Sequence, residues 1–325
     1  MTKNDTNLLR CLAILLITNS HLDAFFPPGS LLGGGGALGN ALFFMLSGLG
    51  LTLSPAIHQS QHILDWMARR LKRLYPALWL IVSLLSLTPG HGIHWRFPDL
   101  FKLLIYPTPY WFISALVLFY GLFYLIMRCC SARLRVVLLI GLCIPYAVGY
   151  LHFVDLSHFS IENNHLFKWI FYFQTMLLGS VLADDYRRHH APRARTIIAC
   201  LLCLLAYLAL KSLLAHGLFL SSQWLLHALT IPILITALRT ARHPCVEALV
   251  SRPGIQAFIR LFSGLSLEIY LVQEVIIEQP RLQHLPLPWN LLCFWLITVA
   301  SAWLVSQCVQ QLGRLQLFSK KEADA

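Results

Sequence analysis

Apolar residues run through this chain in long continuous stretches, separated by short clusters of arginine, lysine, proline and aspartate. Ten such stretches fall at about 8–27, 31–54, 74–88, 108–127, 135–153, 166–183, 196–216, 219–238, 262–279 and 289–312. Most approach the ~20 residues a helix needs to cross a ~30 Å hydrocarbon core. They are leucine-rich and continuous, which opposes a membrane barrel, whose strands are short and alternate in polarity. The pattern therefore predicts an all-α, polytopic membrane bundle of about ten transmembrane helices. The whole chain, 1–325, reads as a single transmembrane domain with no appended soluble domain.

Composition agrees. Of 325 residues 57% are hydrophobic and 12% charged, about half the charge of a soluble domain, and the mean hydropathy is +0.65. The net charge of +11 raises the question of nucleic acid, but its placement answers it. With the N-terminus placed in the cytoplasm, 20 of the 25 lysines and arginines fall on the cytoplasmic side. That asymmetry satisfies the positive-inside rule with both termini cytoplasmic. No nucleic-acid partner is needed, and the basic rim suits anionic membrane lipid or an anionic cytosolic ligand.

The nine cysteines are scattered, several of them within apolar runs. Cys200 and Cys203 lack a second pair or nearby histidines, so they read as packing residues. The histidines at 91, 94, 152, 158 and 165 lack metal-ligand spacing on one helix, and no metal is expected. Lys3 and Arg10 precede an apolar run in the manner of a signal peptide. No A-x-A site follows, and the first stretch is expected to be retained.

That first stretch, LLRCLAILLITNSHLDAFF at 8–26, carries Arg10 and His21. On one continuous helix, eleven steps rise about 16 Å and come within about 20° of three full turns. The two side chains would then share a face, one at the cytoplasmic edge and one deep in the membrane. An ionisable residue at such depth marks a functional interior by default. The plainer alternative is that Arg10 snorkels to headgroups and His21 bonds a neighbouring helix. Asn19 stands beside His21 as a candidate substrate contact.

The second stretch, GGGGALGNALFFMLSGLGL at 33–51, is rich in the small residues that let membrane helices approach closely. WMARRLKRLYPALWL at 66–80 follows, with Arg70 and Arg73 one helical turn apart. Basic residues there set topology, and two arginines at i, i+3 also suit a phosphorylated ligand.

Taken in order, the Arg10-x10-His21 spacing, FFMLSG at 43–48, the RxxR of Arg70 and Arg73 leading into RLYP, PYWFISALVLFY at 109–120 and LSLEIYLVQ at 265–273 resemble the acyltransferase-3 family of bacterial inner-membrane proteins. The resemblance covers nearly the whole chain. It implies a ten-helix bundle that moves an acyl group, commonly acetyl from acetyl-CoA, onto a hydroxyl of a cell-envelope glycan or lipid-linked sugar. His21 then matches the family's essential histidine and Arg10 its partner arginine. Arg70 and Arg73 match arginines associated with the acyl donor. Gln273 stands where many members have histidine, so no second catalytic histidine is inferred.

A basic mouth of Arg10, Arg70 and Arg73 is chemically suited to polyanionic CoA. His21 has two roles open to it, general base on the acceptor hydroxyl or transient acyl carrier. Trp111 and Tyr120 are candidate cavity-lining residues, although aromatics at span ends are commonly interface anchors. Glu268 is costly inside a span and is a candidate for pairing with an arginine or contacting acceptor. The rival class is an exporter or flippase without transfer chemistry. Neither an internal repeat nor a pair of broken helices is legible in the sequence to favour it.

Overall fold

A computed structural model describes residues 3–27, 32–59, 62–86, 101–105, 107, 110–161, 164–188 and 192–323. The principal helices are α1 (Lys3–Asn19), α2 (Gly36–Leu53), α3 (Ala56–Gln59), α4 (Ile63–Ser86), α5 (Trp111–Cys129), α6 (Ala132–Phe153) and α7 (His165–Arg187). They continue with α8 (Ala194–Ala215), α9 (Leu225–Thr240), α10 (Pro244–Val250), α11 (Pro253–Gly264), α12 (Ser266–Ile277), α13 (Pro280–Gln283) and α14 (Trp289–Ala323). No strand occurs among the described residues. The protein is all-helical, as its apolar pattern predicts.

Among the described residues six helices, α2, α5, α6, α7, α8 and the first 26 residues of α14, are long and apolar enough to cross a membrane. The pairs α9–α10 and α11–α12 bend by 71° and 73° at short breaks, and counting each as one span gives eight. The difference from the expected ten lies in α1, which has 17 residues, and α4, whose first half carries Asp65, Arg69, Arg70, Lys72 and Arg73. α4 also begins well before the stretch expected at 74–88, and it keeps Pro76 inside the helix. Its buried positions Trp66, Leu74, Leu78 and Ile81 recur at helical spacing, so one apolar stripe draws the charged front half into the helix.

The first stretch is corrected as well. Instead of a helix through residue 27, α1 stops at Asn19, and Asp23–Phe25 form a separate 3-10 turn. Local competition for the backbone explains the stop. Ser20 Oγ donates to the carbonyl of Ile17 at 2.7 Å, and Asn19 Nδ2 donates to the carbonyls of Leu32 at 2.6 Å and Gly34 at 3.0 Å. Short polar side chains divert backbone groups from the helical ladder in this way.

The chain forms two compact units. The first comprises Met1–Ser20, Leu31–Ser60 and Leu122–Ser263, the second His21–Ser30, Gln61–Gly121 and Gly264–Ala325. In the first unit α2 lies at the centre, packed on α1, α7 and α9. Gly48 and Gly179 make the α2–α7 crossing possible. A Cβ on Gly48 would fall on the carbonyl of Met176, and one on Gly179 would meet the carbonyl of Met45 and, at 2.7 Å, the amide of Leu49. The two backbones touch, a close approach that only small residues permit.

Burial then grades outward. The apolar window of α2 is 72% buried, against 17% for α6 and 11% for α8. Ile198, Leu201, Leu202 and Leu205 all lie exposed along α8. Such a face is stable where lipid is the solvent.

Polar links cross the first unit at both ends. Tyr186 OH donates to Asp5 Oδ2 at 2.6 Å, joining α7 to the start of α1. At the other end Gln223, fully buried, accepts from the amides of Ser160 and Ile161 at 3.0 and 3.1 Å and donates to the carbonyl of His158. That glutamine clamps the 154–161 loop. The same loop holds Asp155 below the ordinary carboxylate range, chiefly because the Ser157 amide donates to it, with Ser157's hydroxyl and His158 contributing.

In the second unit α12 packs on α14 and α4, around an aromatic cluster in which Tyr270 meets Phe112 at 5.3 Å and Tyr110 at 6.3 Å.

Because the α2–α7 crossing has no room for a side chain, Gly48→Val or Gly179→Val should each cost roughly 3 kcal/mol or more by overpacking. Gly121 provides the control, since a Cβ added there would meet no atom within 4 Å. Gly121→Ala should leave stability unchanged or raise it by about 0.5–1 kcal/mol. Thermal unfolding of the detergent-solubilised chain checks both.

Candidate active site

Arg10 lies on α1, half-buried between buried Leu9 and Cys11. Its Nη2 stands 4.0 Å from where a Gly50 Cβ would be, so the guanidinium borders a bare stretch of α2 backbone. Asn19, at the end of the same helix, spends its amide N–H groups on the carbonyls of Leu32 and Gly34. Its observed work is to fasten α1 to the segment that leads into α2. Both residues belong to the first unit.

His21 belongs to the second unit and is exposed in the turn after α1. The expectation that helical phase sets its direction therefore does not hold, because the helix ends two residues earlier. The turn is fixed by other means. Leu22 and Phe25 are buried, and Phe25 packs edge-on to Phe294 of α14 at 5.5 Å. Buried Asn290 donates from Nδ2 to the carbonyl of Phe25 at 2.9 Å, while its Oδ1 accepts from the amide of Leu291 at 2.7 Å. Asn290 was not singled out from the sequence. Its signal was a polar amide at the opening of an otherwise apolar last span, a place where such a group must find an internal partner.

Five more of the residues chosen from the sequence lie in the second unit on α4, α5 and α12. Arg70 stacks over the ring of Trp66 at 5.6 Å, and that ring also meets Tyr120, edge-on at 5.8 Å. Trp66 and Arg70 are i, i+4 on one helix and therefore share a face. This arrangement makes fully buried Trp66 a floor between Arg70 and Tyr120. The guanidinium of Arg70 also feels the charges of Arg69 and Arg73. Its Nε is buried without a hydrogen-bond acceptor among the described residues. A buried charged donor in that condition is suited to an incoming anion.

Arg73 is exposed, and its charge acts favourably on half-buried Glu268 of α12. The structure thus brings Arg70 and Tyr120 to the same Trp66 ring, and leaves Glu268 within the reach of the Arg73 charge. Trp111 is half-buried at the first turn of α5, its ring 6.0 Å from Phe112. It neighbours the Tyr110–Phe112–Tyr270 cluster, and that cluster holds the start of the helix on which Tyr120 lies further along.

All of these residues fall within one family match. The model of the acyltransferase domain, Acyl_transf_3, matches residues 4–307. The chain belongs to the acyltransferase-3 family. No curated protein and no solved structure matches it. As an acyltransferase-3 protein it is a multi-pass membrane acyltransferase. The bent pairs α9–α10 and α11–α12 correct one expectation. Broken helices are present, so their absence from the sequence pattern was no ground for setting an exporter aside; family membership is what assigns transfer chemistry.

Asn290→Ala removes the bond that holds the His21 turn and strands the Phe25 carbonyl in a buried place. It should cost about 1–3 kcal/mol, read as a lower thermal midpoint together with reduced transfer activity. Asn290→Asp preserves the shape and one acceptor but not the donor, so it should show the same loss.

Proposed function

We propose that this acyltransferase-3 protein takes acetyl from cytosolic acetyl-CoA and transfers it to a hydroxyl of a cell-envelope sugar. The acceptor class is lipopolysaccharide, capsule, exopolysaccharide or glycolipid, and the setting is the bacterial inner membrane. The observation that carries the donor reading is Arg70, a half-buried guanidinium over an aromatic floor whose buried Nε has no acceptor among the described residues. A phosphate of CoA supplies the missing acceptor, and Arg73 and Arg10 are the other cations we assign to the donor. In this reading α1 and α4 join the eight other spans to make ten, and both termini are cytoplasmic.

His21 accepts the proton of the acceptor hydroxyl as that oxygen attacks the thioester carbonyl, and the imidazolium returns a proton to the departing CoA thiolate. In the two-step variant the His21 imidazole attacks the thioester carbonyl and CoA leaves as its thiol, after which the acceptor hydroxyl takes the acyl group and its proton passes to the freed imidazole. Asn19, Trp111, Tyr120 and Glu268 are the residues we assign to substrate contact. Of the two outer loops suited to acceptor selection, 154–165 is held in part by Gln223, while most of 89–108 lies outside the described residues. The exporter reading finds support in the two bent helix pairs.

Membranes carrying wild type or His21→Ala at matched expression distinguish these readings when label from radioactive acetyl-CoA is followed into envelope glycans. Transfer by wild type and its loss by at least about 10²-fold in the variant are expected for a residue in acid–base chemistry. Equal labelling would remove His21 from the chemistry. An absence of acetyl-CoA-dependent labelling in both, with glycan export intact, would favour the exporter.

For Arg70→Gln the expected result is a roughly tenfold higher KM for acetyl-CoA with kcat little changed, the mark of lost uniform binding. An unchanged KM would detach Arg70 from the donor.

A further inference from the structure

The first unit contains a second basic site, remote in sequence from the residues assigned to chemistry. The end of α7, the start of α8 and the end of α9 enclose a cleft of about 480 Å³ lined by Asp185, Pro192, Arg193, Arg195, Thr196, Arg239 and Arg242. Four arginines face one carboxylate there. Arg239 Nη2 lies 3.1 Å from Asp185 Oδ2, and Arg242 stacks on Tyr186 at 4.7 Å. The phenol of Tyr186 is in turn fixed by its bond to Asp5. Two arginines are thus pinned from α7, while exposed Arg193 and Arg195 stand on the opposite wall.

The opposite wall is the N-terminus of a 22-residue helix, and Arg193 as its N-cap residue makes no side-chain capping bond. The positive end of a helix dipole favours anions and opposes cations. Two arginines there, facing two more, leave four guanidinium charges against the single Asp185 carboxylate of the cleft lining, an excess that a bound anion would offset. Membrane topology requires basic residues on this side of the bilayer. It does not require them to share a cleft, and nearby Arg187 is spent elsewhere, on Asp184 and on the carbonyl of Thr52 at the end of α2.

We infer that this cleft is a phosphate-binding site, built by Arg193, Arg195, Arg239 and Arg242 with the Thr196 hydroxyl and the start of α8. Guanidinium forks and a helix N-terminus are the groups that bind phosphate oxygens best. The phosphate has two sources on the cytoplasmic side, the headgroup of an anionic phospholipid or the phosphates of a soluble nucleotide such as CoA. The site does not depend on the donor assignment made for Arg70.

The test uses the full chain in detergent and in nanodiscs. Native mass spectrometry with equal dioleoylphosphatidylglycerol and dioleoylphosphatidylcholine measures lipid preference. Titration calorimetry in phosphatidylcholine nanodiscs measures pyrophosphate and CoA. Two double variants are compared, R193Q/R195Q and R239Q/R242Q. Since Arg239 and Arg242 also hold structure, the exposed first pair keeps the test interpretable if the second unfolds. R70Q/R73Q serves as the reference.

A fall of about tenfold in phosphatidylglycerol preference for R193Q/R195Q, with an unchanged thermal midpoint, identifies a lipid site. The same fall for pyrophosphate and CoA identifies a nucleotide-phosphate site. R70Q/R73Q should leave the lipid preference intact. If the folded cleft variants alter neither lipid nor pyrophosphate nor CoA binding, the inference is overturned, whatever the outcome for Arg70.

Discussion

The backbone contact between α2 and α7 at Gly48 and Gly179 is the constraint on which the first unit depends. In lipid no hydrophobic effect drives helices together, so close packing must do so. Here each glycine opens its helix to the other's carbonyls. With α2 held that near to α7, α1 and α9 pack on its remaining faces, and Arg10 of α1 comes to rest beside Gly50. A side chain at either crossing glycine displaces the centre around which the other helices are arranged.

Polar groups in both units follow from the same solvent argument. Inside hydrocarbon a donor without a partner is expensive, and several buried amides and phenols accordingly reach beyond their own helix. Tyr186 bonds Asp5, Gln174 bonds the Leu142 carbonyl, Gln223 bonds the 154–161 loop and Asn290 bonds the Phe25 carbonyl. Tyr146 of α6 and His227 of α9 are hydrogen-bonded, and His227 stacks on Phe171 of α7 at 3.7 Å. That histidine is a packing element. The Nε of Arg70, like that of Arg135, is a buried charged donor without such a partner among the described residues, and of the two only Arg70 lies over the Trp66 ring beside Tyr120, which is why the donor reading rests on it.

Two kinds of basic residue thus share the chain. Arg70 is half-buried on an aromatic floor and lies among residues matched to an acyltransferase domain. At the α7–α8–α9 cleft Arg193, Arg195 and Arg239 are exposed and Arg242 is half-buried, with Arg239 held by Asp185 and Arg242 by Tyr186. Both sets were visible in the sequence as contributors to a one-sided positive charge. Charge asymmetry reports the side of a membrane, not the partners of individual arginines, so it could not separate them.

The amino-acid sequence by itself determined the all-helical membrane class, because long apolar runs leave the backbone no other way to satisfy its hydrogen bonds in lipid. It also determined the family, through ordered motifs from Arg10 to Gln273, and it placed Arg70 and Arg73 on one stretch of helix. Helical periodicity carried no further than Asn19, where side-chain competition for the backbone ends α1. Only tertiary structure decided the turn that holds His21, since Phe25, Phe294 and Asn290 meet across more than 260 residues of chain. Likewise only packing put Trp66 between Arg70 and Tyr120, bent two apolar stretches by more than 70°, and gathered four arginines from two distant segments at one cleft. Local sequence sets which groups seek partners, and long-range contacts decide which partners they find.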